Sequence, residues 1–404
     1  MGNVGYIPRM EGLDALRGFA LFGLFIVHMP ELFELYWAHP ATDPLQLAVH
    51  DAVWLVFAGK AFALLALSFG VSFFIIMDRA ARRGVDFTGR FVWRLVLLAA
   101  MGLLHGLWYR GDILEVLAVM GLFLVPFQRV RSNRLLLAVA VFFLLQPLML
   151  VRIAAGLAGA EWANQPLRFW SATIPQVYLD GDFAGTVRMN VVDGHGFKWL
   201  FMYESGRLSQ LLGLSLVGML LGRIGFFARP EAFVRARTVG LAIALTCAVA
   251  LYLAREPLTQ LVPATDAMSM PRALTGALLA SLFDLAAMAV LMLGFIGIYY
   301  GGGDRALGLL APAGRMTLTL YVLQSLVFVP VFYGYGLGLH ASMSQVQALL
   351  LGLAAFAAQL VFAHLWFRRF WYGPLEWLWR AGTYLTWDVP FVKRGTGAAE
   401  GMPA

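Results

Sequence analysis

Several apolar runs in this chain are long enough to cross a lipid bilayer as a helix, which takes about 20 residues. Hydrophobic residues make up 60% of the 404 residues and charged residues only 13%, and the mean hydropathy is +0.75. The runs lack the alternation of apolar and polar residues that a membrane β-barrel needs. Because a helix satisfies its own backbone hydrogen bonds inside lipid, the sequence predicts an all-α polytopic membrane protein.

The apolar runs predict about ten transmembrane helices in one bundle. We place them at about 18–36, 52–77, 91–109, 113–128, 135–154, 205–226, 238–254, 273–300, 307–334 and 345–367. Residues 1–394 are expected to form a single transmembrane domain, and residues 395–404 a disordered tail.

Lys and Arg are spread unevenly over the segments that connect the predicted helices. If the N-terminus is cytoplasmic, the inner segments and their flanks hold Arg79, Arg82, Arg83, Arg90, Arg94, Arg129, Arg131, Arg134, Arg223, Arg229, Arg235 and Arg237. The outer segments are poorer in basic residues and include Glu31, Glu34, Asp43 and Asp51. The positive-inside rule therefore predicts that both termini are cytoplasmic. These segments account for the net charge of +7, so nucleic-acid binding is not expected.

Two segments outside the predicted helices are rich in aromatic residues. The outer segment at about 155–204 is expected to be either a lid or binding element or a plain connection. Near the C-terminus, at about 367–387, aromatic residues alternate with arginines. That pattern predicts an amphipathic helix lying in the inner membrane interface.

Ionisable residues inside a bilayer are costly unless they face a cavity or a partner, so they mark candidate sites. One group lies toward the outer ends of the predicted helices: His28, Lys60, His105, Arg110, Asp112, Glu115, Glu204 and Arg207. His28 is the first candidate for a general base, because histidine titrates near neutral pH, and His50 and His105 are the alternatives. Lys60 is a candidate donor to a developing oxyanion. The competing interpretation is that these residues form interhelical ion pairs.

A second group lies toward the cytoplasmic ends. Asp14 and Arg17 are three residues apart, so they can pair on one helix face. Together with Arg90, Arg94 and Arg315 they predict a cationic pocket, unless they too serve only packing. Asp284, deep in the eighth predicted helix, is expected to pair with an arginine. The histidines lack the spacing of metal ligands, so no metal site is expected.

Five segments carry a resemblance to a known family. They are Leu13-Asp14-Ala15-Leu16-Arg17-Gly18-Phe19, Gly59-Lys60 with Leu67-Ser68-Phe69-Gly70, Gly111-Asp112-Ile113-Leu114, Gly314-Arg315-Met316 with Leu318-Thr319-Leu320-Tyr321 and Gln324-Ser325, and Tyr372-Gly373-Pro374-Leu375-Glu376-Trp377. The chain resembles the YeiB-like family, the domain of unknown function 418, over almost its full length. That family in turn resembles, more distantly, the transmembrane acyltransferases that include heparan-alpha-glucosaminide N-acetyltransferase and bacterial sugar O-acyltransferases.

The resemblance implies an acyltransferase of a bacterial-type cytoplasmic membrane. Such enzymes take an acyl group from cytoplasmic acyl-CoA and deliver it to an acceptor on the other side, with a non-cytoplasmic histidine as the base. The acceptor would be a hydroxyl or amine of a cell-envelope sugar, lipid or secondary metabolite. Asp14 and Arg17 match the family's opening motif, and His28 lies where some sugar O-acyltransferase relatives have a histidine. The cationic group would then hold the phosphates of acetyl-CoA or a longer acyl-CoA.

Two other functions are compatible with the same residues. In a transporter or exporter, the intramembrane charges would form a substrate or proton path. In a non-catalytic membrane scaffold, they would be paired and closed to solvent. Membrane lipids are expected partners, and the 42 glycines allow close helix packing within one chain or in a homodimer.

Overall fold

The computed structural model describes residues 10–170, 172–264 and 270–393, and these residues are helical almost throughout. The predicted disordered tail, residues 395–404, lies outside the described residues. The helices are α1 (Glu11–His28), α2 (Pro44–Phe57), α3 (Lys60–Arg82), α4 (Thr88–Gly106), α5 (Leu114–Leu124), α6 (Asn133–Leu144), α7 (Pro147–Leu157), α8 (Glu161–Asn164), α9 (Gln176–Asp180), α10 (Phe183–Met189), α11 (His195–Glu204), α12 (Arg207–Ile224), α13 (Val234–Gln260), α14 (Met270–Ile298), α15 (Asp304–Leu307), α16 (Ala311–Arg315), α17 (Thr317–Phe332), α18 (Gln345–Arg369) and α19 (Pro374–Tyr384).

Length and composition identify the helices that can cross a membrane. Within the described residues, five helical stretches qualify: Pro44–Arg82, Arg207–Ile224, Pro230–Gln260, Met270–Arg315 and Gln345–Arg369. The pair formed by α6 and α7, bent by 46°, makes a sixth if it is one span. The prediction of a helical membrane protein is confirmed at this level, whereas the count of ten spans stays a prediction.

Helix α1 lies at the centre of the bundle. It contacts α2, α3, α14, α16, α17 and α18, and most of its residues are buried. A helix surrounded by protein does not need an apolar surface on every side. This position explains why α1 accommodates Asp14 and Arg17 in a membrane protein.

Several predicted boundaries were wrong. The first helix begins at Glu11 and ends at His28, instead of running over 18–36. The predicted span 52–77 is two helices, separated at Ala58 and Gly59, where Gly59 has φ +77°. Likewise 135–154 is broken at Gln146, with φ +54°, and 307–334 is interrupted at Met316. Hydropathy does not report backbone geometry, so an apolar run continues across each break.

The connections between helices gather at two opposite ends of the bundle. We call the first the histidine end; it comprises residues 28–43, 107–113, 158–170, 172–206 and 333–344. These segments bind one another: the hydroxyl of Tyr333 donates to the carbonyl of Phe33 at 3.2 Å, and the amide of Gly334 donates to the carbonyl of Tyr178 at 2.9 Å. The second, the arginine end, comprises residues 83–87, 129–133, 224–233, 311–316 and 370–393, the two helix turns that adjoin each of these segments, and the first two turns of α1. There Arg223 donates to the carbonyl of Val130 at 2.8 Å.

Glycines bring two helix pairs into backbone contact. A Cβ atom at Gly70 of α3 would lie 1.9 Å from the carbonyl oxygen of Ser215, and one at Gly218 of α12 would lie 2.0 Å from that of Leu67. Between α1 and α16, a Cβ atom at Gly314 would lie 1.8 Å from the carbonyl oxygen of Asp14. Small residues permit this close approach, on which helix association in membranes depends.

Both aromatic-rich segments are folded. The outer one forms α8 to α11 and packs on the histidine end, where Tyr178 is buried and its hydroxyl donates to Asn190 at 2.7 Å. Burial raises the pKa of Tyr178 to about 12. Near the C-terminus, the predicted amphipathic helix is α19, which packs on α4 through a bond from the indole of Trp379 to the carbonyl of Arg94 at 2.8 Å.

Candidate functional site

A buried carboxylate, imidazole and hydroxyl lie in a row where α4, α5 and α17 meet. Nδ1 of His105 is 2.7 Å from Oδ1 of Asp112, and Nε2 of the same ring contacts Oγ of Ser325. The side chains of His105 and Asp112 are 2% and 0% exposed, and Ser325 is 1% exposed. We call these three residues the triad.

The start of α5 determines how Asp112 is oriented. Its Oδ2 accepts the backbone N–H groups of Leu114 at 3.1 Å and Glu115 at 3.3 Å, so the carboxylate caps the helix N-terminus. Oδ1 then accepts from Nδ1 of His105. With a hydrogen on Nδ1, the lone pair of Nε2 faces the hydroxyl of Ser325, which is the tautomer that a general base needs.

Aromatic residues enclose the triad. The ring of Tyr321, one turn before Ser325 on α17, lies 5.4 Å from the imidazole of His105. Its hydroxyl accepts the backbone N–H of Ile113 at 3.2 Å, so its own hydrogen is free to point elsewhere. The indole of Trp108 donates to the carbonyl of Ser325 at 3.1 Å. These contacts hold Ser325 and His105 in one geometry and keep water away.

His28, the first candidate from the sequence, lies beside the triad but outside it. Its Nδ1 is 3.4 Å from the hydroxyl of Tyr109 and 3.6 Å from Oε2 of Glu31. The ring of Tyr109 also contacts His105, with ring centres 6.3 Å apart. His50 is farther along the chain, stacked on Tyr36. A catalytic role for His28 stays a prediction.

The ammonium of Lys60 is paired. It lies 2.6 Å from Oδ1 of Asp284 and 3.3 Å from the carbonyl of Trp54. Asp284 thus forms its ion pair with a lysine, whereas the sequence predicted an arginine, and Arg207 and Arg255 lie within electrostatic range of the same carboxylate. The pair accounts for a buried charge at this position, and the role of Lys60 as an oxyanion donor stays a prediction.

Two helix breaks converge on one face of α14. A Cβ atom at Gly59, between α2 and α3, would lie 2.4 Å from Oδ2 of Asp284. The hydroxyl of Ser281, one turn earlier on α14, accepts from the amide nitrogen of Gln146 at 2.6 Å, between α6 and α7. It also accepts from Gln210 of α12. We call this polar contact the break junction.

At the arginine end, the predicted pair is confirmed: Nη1 of Arg17 lies 3.3 Å from Oδ1 of Asp14, and the same guanidinium donates to Ser72. Of the other predicted arginines, Arg90 and Arg94 lie against α19, and Arg315 lies against α18. Arg94 is 3.5 Å from the ring centre of Trp379, and Arg315 is 3.8 Å from that of Phe367. Arg90 lies over Tyr384 of α19 at 5.3 Å. The arginines therefore share one end of the bundle, while each is held by its own aromatic or polar neighbour.

Glu376 joins the two C-terminal motifs. Its carboxylate accepts the backbone N–H groups of Leu318 at 2.8 Å and Thr319 at 3.1 Å, and the hydroxyl of Thr319 at 2.6 Å. Burial raises the pKa of the Glu376 carboxyl above its ordinary value, and these hydrogen bonds partly oppose the shift. The contact caps α17 and fixes α19 beneath it, so this motif serves the architecture of the arginine end.

A cavity of about 200 Å³ opens on the opposite face of α4 from His105. Arg110, Asn190, His195 and Lys198 form its polar wall, and Leu103 and Leu107 are among its apolar residues. Glu115 neutralises this wall, since it accepts from Lys198 at 2.6 Å. Among residues 10–170, 172–264 and 270–393, no three His, Cys, Asp or Glu side chains come together as metal ligands would.

The sequence indicated the three triad positions separately. His105 was an alternative base, Asp112 belonged to the outer polar group, and Ser325 appeared only as part of a family motif. A serine in an apolar helix is ordinary, because its hydroxyl can bond to the preceding turn of its own helix. What distinguishes Ser325 is its contact with the imidazole of His105, which lies 220 positions earlier in the sequence.

The comparisons with known proteins agree with the motif resemblance. A family described as a protein of unknown function (DUF418) matches residues 221–386. The uncharacterized protein YxaH of Bacillus subtilis is 27% identical, covering 96% of this chain and 96% of its own. The uncharacterized protein YeiB of Escherichia coli is 28% identical, covering 93% of this chain and 96% of its own. The chain is thus similar to the DUF418 family over residues 221–386 and to the proteins YxaH and YeiB over nearly its full length.

Proposed function

We propose that this protein is an integral-membrane acyltransferase that moves an acyl group from cytoplasmic acyl-CoA to a hydroxyl or amine. The acceptor would be a cell-envelope sugar, lipid or secondary metabolite that approaches from the non-cytoplasmic side. The observation that carries the proposal is the triad, in which the imidazole of His105 lies between a carboxylate and a hydroxyl. This arrangement suits the proton transfers that accompany acyl transfer.

The two ends of the bundle would then divide the substrates. Acyl-CoA carries several phosphate charges, and Arg17, Arg90, Arg94 and Arg315 at the arginine end are suited to bind them. The acceptor would enter at the histidine end, which has fewer basic residues and a folded cap of short helices. His105, with Asp112 as a positioning residue, would accept a proton during attack on the thioester.

The proposal includes the finer topology that the sequence predicts. The arginine end and both termini would face the cytoplasm, with about ten spans in a bacterial-type cytoplasmic membrane. Residues 1–394 would form one acyltransferase domain. The helices α5 and α17 are shorter than a complete span. Each would cross the bilayer together with the turns that precede or follow it.

Binding and turnover of acyl-CoA test this function directly. Detergent-purified protein is titrated with acetyl-CoA and octanoyl-CoA, and CoA release is followed with a thiol reagent. The background is Cys247→Ala, which removes the single cysteine of the chain from the assay. Arg17→Ala should weaken binding more than about tenfold, because it removes charge-assisted hydrogen bonds to phosphate. The exposed Arg79→Ala at the same end is the matched control.

The same assay distinguishes the two candidate bases. His105→Ala should keep binding and lower CoA release by roughly 10²–10⁴-fold, the range for loss of a general base. His28→Ala should lower release much less. The reverse order would assign the base to His28. The exposed His39→Ala controls for loss of an imidazole at this end.

A transporter is the second candidate, and the break junction favours it. Discontinuous helices that meet polar groups within the bundle are typical of substrate sites in secondary transporters. Here the breaks at Gly59 and Gln146 both contact α14, at Asp284 and Ser281. If folded wild-type protein binds neither CoA ester, acyl transfer is excluded for these donors and the break junction becomes the leading site.

A further inference from the structure

The position of Ser325 is central to how two substrates at opposite ends could react. It is the ninth residue of the 16-residue helix α17, which begins at the arginine end and finishes at the histidine end. At 1.5 Å per residue, it lies about 12 Å from the Thr317 end and about 10 Å from the Phe332 end. The hydroxyl that faces His105 is thus close to the midpoint between the two ends.

The imidazole is already paired with a hydroxyl of the protein itself. Nε2 of His105 contacts Oγ of Ser325, which also lies 3.0 Å from the carbonyl oxygen of Val322, and the contact of Asp112 with Nδ1 favours the tautomer that accepts the serine proton. A base that acted only on an incoming acceptor would have its lone pair directed at open space or water. Here the group it faces is a fixed side chain, as in enzymes with an activated serine nucleophile.

We propose that Ser325 is the nucleophile and carries the acyl group as an ester between two half-reactions. This inference rests on the proposed acyltransferase function. It removes the need for both substrates to occupy the protein together: acyl-CoA reacts from the arginine end and leaves as CoA, and the acceptor then reacts from the histidine end. Ser325 is the relay point between them.

The first half-reaction acylates the serine. Oγ of Ser325 attacks the thioester carbonyl carbon while its proton passes to Nε2 of His105. The tetrahedral intermediate collapses, the carbon–sulfur bond breaks, and the CoA sulfur leaves with the proton from His105. The products are CoA thiol, acyl-Ser325 and a neutral imidazole, so atoms and charge balance without a further reactant.

The second half-reaction regenerates the serine. The hydroxyl or amine of the acceptor gives its proton to His105 and attacks the ester carbonyl. The bond between the acyl carbon and Oγ then breaks, and Ser325 recovers the proton from His105. In both steps the hydroxyl of Tyr321 is suited to donate to the oxyanion, because its oxygen is held by the backbone N–H of Ile113 and its hydrogen is free.

A burst experiment without an acceptor tests the intermediate. Wild type, Ser325→Ala, Ser325→Cys and Ser215→Ala are mixed with acetyl-CoA in detergent, and released CoA is measured over time by chromatography. The reaction is then quenched with acid, the protein is digested, and mass spectrometry measures the peptide masses to locate any acetyl group. Ser215 is the matched control, because it is as buried as Ser325 and its hydroxyl donates to the carbonyl of Ala66 instead of contacting a histidine.

The expected result is a rapid release of about one CoA per chain, with one acetyl group on the peptide that contains Ser325. Ser325→Ala should show neither, and Ser215→Ala both. Ser325→Cys should be labelled as a thioester, which a structural role for the hydroxyl would not produce. Equal thermal unfolding midpoints of the variants show that folding is intact.

Two other outcomes overturn different claims. If wild type and Ser325→Ala release CoA at the same steady rate, with no acyl group on the serine, direct transfer replaces the covalent intermediate and the acyltransferase function stands. If wild type binds and consumes neither acetyl-CoA nor octanoyl-CoA, the proposed function fails, and the intermediate fails with it.

Discussion

At the scale of single residues, Asp112 joins local structure to chemistry. One carboxylate oxygen caps α5 through two backbone N–H groups, and the other orients His105. The helix start therefore determines the tautomer of an imidazole in a different helix. Because both bonds come from one side chain, the geometry of the triad depends on the turn at residues 107–113 as much as on the histidine.

Replacing Asp112 tests this orientation. Asp112→Asn keeps the size of the side chain but presents an amide nitrogen or a neutral oxygen to Nδ1, which favours the wrong tautomer. We expect CoA release to fall roughly 10²–10⁴-fold, as for the equivalent change in serine hydrolases, with acyl-CoA binding unchanged.

Asp51→Asn is the control for this change, because Asp51 also lies beside a histidine, at 3.3 Å from His50, but is 76% exposed. It should leave the rate unaltered. Wild-type turnover in Asp112→Asn would show that the orientation of His105 does not limit the reaction.

At the scale of helices, the bundle is assembled from glycine contacts and capped breaks. The helices α3 and α12 are parallel and both run toward the arginine end, and Gly70 and Gly218 let their backbones touch. The same pair carries Lys60 and Arg207 at its beginning, next to Asp284 of α14. Close packing of α3 and α12 therefore holds the charged residues of the break junction in register.

Gly218→Ala should destabilise this contact. The new Cβ atom would lie 2.0 Å from the carbonyl oxygen of Leu67, which is backbone and cannot swing aside. Overpacking of this kind costs about 1–3 kcal/mol, more than alanine gains from its higher helix propensity. The free energy of unfolding in mixed detergent micelles measures the effect.

Gly297→Ala on α14 is the matched substitution, since no atom lies within 4 Å of its added Cβ. It should be neutral or slightly stabilising. If both variants unfold alike, the α3–α12 contact is looser than the structure indicates.

At the scale of the whole molecule, the two ends differ in charge and in covering. The arginine end carries most of the basic residues and α19, whereas four short helices cap the histidine end. This asymmetry is what a vectorial reaction or transport across a membrane requires. From this asymmetry the positive-inside rule predicts that the arginine end faces the cytoplasm.

Cysteine labelling tests that orientation. In a Cys247→Ala background, Asp180→Cys at the histidine end and Arg131→Cys at the arginine end each place one thiol at an exposed position. A membrane-impermeant maleimide should label Asp180→Cys in intact bacterial cells, and label Arg131→Cys only after the membrane is permeabilised.

Permeabilised cells, in which both variants should react, provide the reference signal for this experiment. Labelling of Arg131→Cys alone in intact cells would mean that the arginine end faces outward. The cytoplasmic entry of acyl-CoA would then be wrong.

Much of the membrane architecture was predictable because hydropathy and charge act locally along the chain. The positions of α12, α13 and α18 were close to the predicted spans. The pair of Asp14 and Arg17 also followed from helix periodicity alone. The breaks at Gly59 and Gln146 were not predicted, because a change in backbone direction inside an apolar run leaves hydropathy unaltered.

By itself the sequence determined that the fold is helical, because apolar runs satisfy their backbone hydrogen bonds in lipid as helices. The uneven distribution of arginines over the connecting segments also distinguished one set of segments from the other. Only the tertiary structure decided which polar residues meet. His105, Asp112 and Ser325 lie on different elements, and Lys60 meets Asp284 of another helix. Such contacts depend on the rotation and depth of each helix in the bundle, which close packing sets and which no local pattern of residues encodes.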